Sequence, residues 1–537
     1  MRYVKHVQNK VTPQNEPVPG KPMVANSAGG YSFAVDDWVR LDRFLVLGCE
    51  GGSYYASERA LLRENAEAVV RCVQADGVEA VRRIAAVSVA GRAPKNDPAV
   101  FALALAAAHG TAAGKTAAYA AVPAVCRTGT HLFQFAAASD GLRGWGRGLR
   151  QAVADWYLKK APRDLAYQMT KYQQRDGWGH RDLLRLAHPK TSEPTRNDLF
   201  AWAVGKKGDD YAETLRSTVT PDADLAPLYA LEAAKRATSE DEIVRLIRNY
   251  RLVREGVSTQ FLTSAKVWEA LLADMPLTAL LRNLATMTRV GLLASGADAV
   301  RKVVANLTDA GRLAKARVHP LALLVALKTY ERGKSVRGDG TWTPVREVVD
   351  ALDKAFYLAF RAIEPTGKRW LLALDVSGSM GGPELAGMPG ITPRVGSAAM
   401  ALVTAATEPE HQIMAFSHEL VPLDIGPRMK LATVLKKTSN LSFGGTDCAL
   451  PMLYAAKNRV SVDMFVVYTD SETWFGQVHP FQALTQYRDK TGIAAKLVVV
   501  GMVANKFTIA DPGDAGMLDV VGFDATAPAV IADFART

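Results

Sequence analysis

The sequence predicts a multidomain protein. An all-α, repeat-like region covers about residues 31–362, and an α/β domain built on a parallel sheet covers 363–537. Three observations carry this. The chain has 537 residues, too many for one hydrophobic core. Apolar residues recur at helical spacing through the first two-thirds. Near residue 360 the pattern changes to short β-forming apolar runs separated by helical stretches, the mark of βαβ units.

Residues 1–30 are rich in Pro, Gly and Asn and read as a loosely ordered arm. The helical region then shows its own start and stop signals. In "NDPAVFALALAAAHG", Asp97 is expected as the N-cap, Pro98 at the first helical position and Gly110 at the end. In "SEDEIVRLIRNY", Ser239 and Glu242 form a capping-box pair, and Ile243, Leu246, Ile247 and Tyr250 follow at i, i+3, i+4, i+7. "VWEALLADMPLTALLRNLATM" reads as two helices, with Pro276 opening the second. Many short helices in series suggest an α-solenoid or a large bundle, although no crisp repeat period is visible. Pro365 and Gly367 suit a domain boundary. Strands are expected at 369–375, 411–417, 463–470 and 495–501.

Hydrophobic residues make up 48% of the chain, which excludes a disordered protein. The four cysteines are widely spaced and form no C-x-x-C, so neither a zinc ribbon nor a disulfide framework is indicated. The N-terminus lacks the apolar core of a signal peptide, and no uncharged apolar run reaches 18 residues. A cytoplasmic protein without a membrane span is expected. The net charge of +11 is uneven: residues 361–537 hold 15 Lys+Arg and 17 Asp+Glu, so the whole excess lies in residues 1–360. Such a confined surplus points toward a polyanion partner.

In "RWLLALDVSGSMGG" a buried strand ends abruptly at Asp375. Ligands of parallel sheets bind beyond the carboxyl ends of the strands, and Ser377 and Ser379 follow there. Thr446 in "FGGTDC" and Asp470 in "VVYTDSETW" stand at further loop positions. The set is all oxygen, which suits a hard divalent cation, with Mg²⁺ expected. Its D-x-S-x-S signature is similar to the metal-ion-dependent adhesion site (MIDAS) of von Willebrand factor A domains. Three neutral hydroxyls and two carboxylates leave an ion able to recruit a partner's acidic group or water. Catalysis is not indicated. A phosphotransferase would want a second carboxylate where Ser377 stands, "SGSMGG" supplies no G-x-G-x-x-G, and no base pairs with the serines.

Residues 143–190 hold 11 Lys+Arg against 4 Asp+Glu. On a helix starting near Gly179, Arg181, Arg185 and His188 form one stripe, and Leu183, Leu184, Leu186 and Ala187 cover the other side. Lys171, Tyr172, Arg175, Trp178 and His180 precede it. Cations beside aromatic rings suit RNA, and equally an amphipathic helix with Trp178 in the core.

The order of several motifs resembles the Ro autoantigen family. They are "LDRFLVLGCEGGSYYASE" (41–58), "KYQQRDGWGHRDLLRLAH" (171–188), "RLVREGVSTQFLTSAKVWEALLADMPLTALLRNL" (251–284), "EPTGKRWLLALDVSGSM" (364–380), "GGTDCALPM" (444–452) and "KFTIADPGDAGMLDVVGFD" (506–524). The resemblance is to bacterial-type members. It implies a ring of HEAT-like helical repeats, the TROVE module, closed by a von Willebrand factor A domain. It implies binding of small noncoding Y RNA on the outside of the ring. Misfolded RNAs would bind there too, with their single-stranded ends passing into the central hole, in RNA quality control and stress survival. Some bacterial members act with a 3′-exoribonuclease. A ring closed by one chain needs no second subunit. The RNA-contact motif falls on Lys171, Arg175, His180, Arg181 and Arg185, with Arg143, Arg147 and Arg150 as weaker expectations. The metal motif falls on Asp375, Ser377, Ser379, Thr446 and Asp470. The Gly/Pro-rich loop 381–394 departs from the family pattern beside the metal site. The reading from another class is a protein-interaction scaffold that recruits partners through the metal.

Overall fold

The computed structural model describes residues 11–206, 222–335, 339–359, 364–382, 384–385, 388–426, 429–430, 433–434, 436–437 and 444–537. The boundary expected at 362–363 lies outside this set.

From Asp37 to Leu358 the described chain is almost wholly helical. Helix Gly77–Ala90 packs on Ala112–Val125, Asp97–His109 on Gly129–Arg143, and Ala112–Val125 on Arg147–Lys159. Each helix therefore rests on the one two places along, as in a two-layer solenoid. The approach is close at one crossing: a Cβ on Gly77 would lie 3.0 Å from the Gly114 Cα. A side chain at either glycine would push the pair apart.

The cap signals hold with two corrections. Ser239 accepts from the Glu242 N–H, as expected, but the return bond of the capping box shifts by one residue, Glu242 accepting from the Thr238 N–H; Pro276 precedes helix Leu277–Arg289. Helix Asp97–His109, however, is preceded by Asn96, and Asp97 is its first residue. The Asp97 carboxylate is instead used laterally, accepting from the Gln134 amide at 2.5 Å.

The helical series closes on itself. Arg317, near its end, lies against Gly91, near its start, and His319 Nε2 donates to the carbonyls of Arg92 (3.0 Å) and Phe523 (2.8 Å). His319 Nδ1 meanwhile accepts from the Leu321 N–H. Burial holds this imidazole neutral, with a pKa lowered to about 4. His131 and His180 are lowered to about 4 by burial in the same way. The unfolded chain binds protons on these rings near pH 6.5 and the folded chain does not, so stability is lost as pH falls from 6.5 toward 4. The melting temperature is expected to drop several degrees between pH 7 and 5. The drop should be shallower in His319→Gln, measured by scanning calorimetry.

The C-terminal domain is a six-stranded sheet. With the short strands of the rest of the chain included, the strands are β1 (Met23–Ala25), β2 (Tyr31–Ala34), β3 (Gln174–Arg175), β4 (Trp178–Gly179), β5 (Trp370–Asp375), β6 (His411–Phe416), β7 (Leu420–Pro422), β8 (Met464–Thr469), β9 (Lys496–Gly501), β10 (Phe507–Thr508) and β11 (Met517–Val521). The large sheet has the order β11-β9-β8-β5-β6-β7, parallel except for β7. Strands β5 and β8 are buried at every position, which explains their continuous apolar runs. The four expected strands are β5, β6, β8 and β9. Strand β11 escapes a hydropathy reading because Asp519 interrupts it.

Residues 11–30 are not a loose arm. Gln14 donates to Asp447 and to the Val478 carbonyl, each at 2.7 Å. The Asn26 amide donates to the Thr473 carbonyl at 2.7 Å. Strand β2 pairs with β1 and, across the chain, with β10. A polar segment without hydrophobic periodicity is thus ordered by distant hydrogen bonds, buried enough to exclude water's competition.

Candidate functional site

The helical series encloses a cavity of about 750 Å³. Its wall gathers residues from widely separated segments: Lys95 and Arg127 from one side, Lys171 and Arg175 from the next, then Arg254 and Arg282, and finally Lys315 and Arg317. Two carboxylates, Asp97 and Glu255, also line the cavity, while Lys95 and Arg175 pair with Glu50 and Asp176 and the other six cations make no ion pair with a described residue. The like charges feel one another. Burial first, and then the Arg317 guanidinium, lower the pKa of Arg127. Unpaired cations gathered round one cavity make its field positive, which attracts anions.

The expected RNA-contact residues divide among three places. Lys171 and Arg175 line the cavity. The Lys171 ammonium donates to the Tyr167 hydroxyl at 2.9 Å and lies over the Tyr167 and Tyr172 rings. Arg175 is carried by a two-strand hairpin, β3–β4, whose turn residues Asp176 and Gly177 have φ of 52° and 80°. Both positive values fit a type I′ turn, and the Asp-Gly pair is the sequence signal that could have found it.

Arg181 and Arg185 are exposed on helix His180–Ala187, outside the cavity wall, while Leu183 and Leu184 are buried beneath them. This matches the expected stripe. Arg143, Arg147 and Arg150 are also exposed. His180 is the correction. It is 4% exposed, its Nδ1 meets the Tyr157 hydroxyl at 2.7 Å, and its ring packs edge-on against Phe133. A ring so enclosed supports the wall from behind. Reading the sequence also missed Lys95, Arg127, Arg254, Arg282, Lys315 and Arg317. Lys315 and Arg317 stand with Arg312 in one short basic run, and Arg254 follows Arg245, Arg248 and Arg251 at three-residue spacing, so those were legible; Arg127 and Arg282 stand alone.

In the C-terminal domain the adjacency of β5 and β8 brings Asp375 and Asp470 to one end of the sheet. Asp375 Oδ1 accepts from the Ser377 N–H at 2.9 Å, and Oδ2 accepts from the Thr469 hydroxyl at 2.7 Å. The hydroxyls of Ser377 and Ser379 are 3.1 Å apart. Thr446 is tied to the Asp470 loop, its carbonyl accepting from the Trp474 N–H and the Thr473 hydroxyl, each at 3.1 Å. All five residues are buried. Arg394, from the end of the Gly/Pro-rich loop region, donates to the Ser377 carbonyl at 3.1 Å.

Burial and then the neighbouring Asp470 carboxylate push the Asp375 pKa up to about 7. Burial raises Asp470 as well. Two buried carboxylates, both raised by burial, with hydroxyl oxygens beside them form a donor set that fits a divalent cation. Among the described residues there is no group of three or more His, Cys, Asp and Glu side chains placed to hold a metal. The set here has only two carboxylates, its other donors being hydroxyls. All four cysteines are free and buried, and among the described residues no helix is long and apolar enough to cross a membrane.

Two family models match the chain: the TROVE domain over residues 24–329 and the Ro60 vWA domain over 369–535. The chain belongs to the Ro60 family. The chain is 45% identical over 541 residues to a protein named RNA-binding protein RO60 from Deinococcus radiodurans, covering 99% of each. It is 36% identical over 582 residues to a protein of the same name from Caenorhabditis elegans, covering 95% of this chain and 90% of that one. Among solved structures it is similar to the Deinococcus radiodurans RO (RSR) protein, with a TM-score of 0.69 and 45% identity. That likeness covers 93% of this chain and 99% of the other. The high identity to a bacterial relative agrees with the bacterial-type resemblance. The Ro60-type arrangement also accounts for the order of modules: a TROVE region first and the vWA domain last.

Proposed function

We propose that this Ro60 family member is a noncatalytic RNA-binding ring. Single-stranded ends of misfolded RNA enter the cationic cavity, and a small noncoding RNA of the Y type lies on the outer face carrying Arg181 and Arg185. The observation that carries the reading is the cavity itself, lined by eight cations of which six make no ion pair with a described residue, against two carboxylates. The names of both relatives support the same reading. The chemistry is phosphate neutralisation by Arg and Lys, with Tyr167 and Tyr172 offering ring faces to unstacked bases. RNA quality control, alongside a 3′-exoribonuclease and in the cytoplasm, is the role this grip serves. One closed ring per chain needs no second copy.

The test is a filter-binding titration at several salt concentrations. For a single-stranded end, log K should fall with log[salt] by roughly 0.7 per phosphate neutralised. Alanine at Lys171, Arg175 and Arg185 together is expected to flatten that slope and weaken binding about tenfold across RNA sequences. Affinity equal to wild type would refute the placement.

In the vWA domain Asp375, Ser377, Ser379, Thr446 and Asp470 would hold a divalent cation, with Mg²⁺ proposed. The ion would supply a positive centre for a partner's carboxylate or for water. This donor set is what favours the second reading, a scaffold that recruits acidic partners. Mg²⁺ is expected to raise the melting temperature of the wild type and leave Asp375→Ala unmoved, by RT ln(1 + [Mg²⁺]/Kd). RNA binding to the ring should survive EDTA, whereas a scaffold would lose its partner.

A further inference from the structure

A second chamber of about 480 Å³ opens beside the central cavity, within the roughly 300–1,000 Å³ typical of small-ligand sites. The two share a wall made by Lys171, Arg254, Glu255, Ala279 and Asn283. Lys171 stands on the divide, since Tyr167 lines the side chamber and Tyr172 the central cavity. The floor of the chamber is apolar: Leu252, Leu271 and Met275 are buried there. Its rim is cationic. Arg163, Arg248, Arg251 and Arg254 are exposed, and none makes an ion pair with a described residue. Arg251 is the C-cap of helix Glu240–Tyr250, and its left-handed backbone, φ 58° and ψ 38°, ends that helix at the chamber's rim.

We propose that this side chamber is a nucleotide pocket that takes one ribonucleotide from a strand lying in the central cavity. The inference rests on the RNA-binding reading above and names where a base goes. An apolar floor under a cationic rim matches a planar base joined to a phosphate. The base lies on Leu252, Leu271 and Met275, and its phosphate turns to the Arg248–Arg251 rim. Asp164, Glu255 and Asp274 also line the chamber. They accept from base N–H groups and disfavour an occupant made of phosphate alone. Continuity with the central cavity supplies the strand, so the pocket needs no separate ligand.

The experiment uses the full chain and an RNA hairpin with a 3′ single-stranded extension, which fixes the register. One 4-thiouridine is placed at each extension position in turn, and photo-crosslinked peptides are mapped. At one position the crosslink should fall on Tyr167 or Met275, and at others on Tyr172. An abasic residue at that one position should weaken binding roughly tenfold, since base stacking is worth about 1–3 kcal/mol. Ala273→Trp, on the exposed rim, should fill the chamber, remove that crosslink and reproduce the loss while Tyr172 crosslinks persist. Arg251→Gln should weaken the same position without filling it. Crosslinks confined to Tyr172, with no penalty for the abasic residue, would overturn the pocket and leave the RNA-binding ring standing. Failure of the RNA to bind at all would overturn both.

Discussion

Charge reversal at Arg254, Arg282 and Lys315, each to Glu, is expected to lower affinity for single-stranded RNA at least about a hundredfold near 0.1 M salt. All three are exposed cavity residues and make no ion pair with a described residue. Their loss therefore removes ligand contacts and leaves the packing alone. A hydrogen bond to a charged group contributes about 1.5 kcal/mol or more, screening reduces each somewhat, and the new carboxylates add repulsion. The salt slope should fall by roughly 2, at about 0.7 for each phosphate released. Binding of a folded small RNA to the outer face should change far less. That contrast separates the two surfaces. Equal losses for both RNAs would mean that the cavity and the outer face are one site or that the fold has failed, which circular dichroism decides.

Arg43→Met is expected to cost about 3–5 kcal/mol of stability, the usual consequence of leaving a buried charge alone. Arg43 sits on helix Asp37–Leu47 with its side chain 1% exposed. It donates to both Asp519 oxygens, at 2.9 and 2.8 Å, on β11. It also donates to the carbonyls of Asn505 and Phe507, at 3.0 and 2.8 Å. One guanidinium thus ties the first helix of the ring to the edge of the sheet. The fit is tight: a Cβ on Gly501 would lie 2.9 Å from that guanidinium. Urea melts should show the loss as a lower midpoint. Arg43→Met with Asp519→Leu should recover much of it, because the partner charge is then no longer stranded. No recovery in the double variant would place the energy in the carbonyl contacts.

The MIDAS-type loop shows how far local reading reaches. Asp375, Ser377 and Ser379 lie on one turn, so a strand ending in D-x-S-x-S discloses them. Thr446 and Asp470 were singled out by the same reading because each follows its own apolar run or glycine pair, and the fold brings Asp470 beside Asp375 at one end of the sheet. The outer stripe of Arg181 and Arg185 was legible too, since helical periodicity alone sets which side chains share a face. His180 was misplaced for a reason spacing cannot supply. A histidine at the first turn of a helix looks exposed until Tyr157 and Phe133 arrive from other helices to enclose it.

From the sequence alone came the module order, the helix ends, the parallel strands and the oxygen-rich loop, because caps and periodicities act over a few residues. Tertiary structure alone decided the order of residues 11–30, the tie from Arg43 to Asp519 and the eight-cation cavity. Those depend on groups tens to hundreds of residues apart. Coulomb attraction and buried hydrogen bonds act through space, and only closure of the helical series brings such partners within reach.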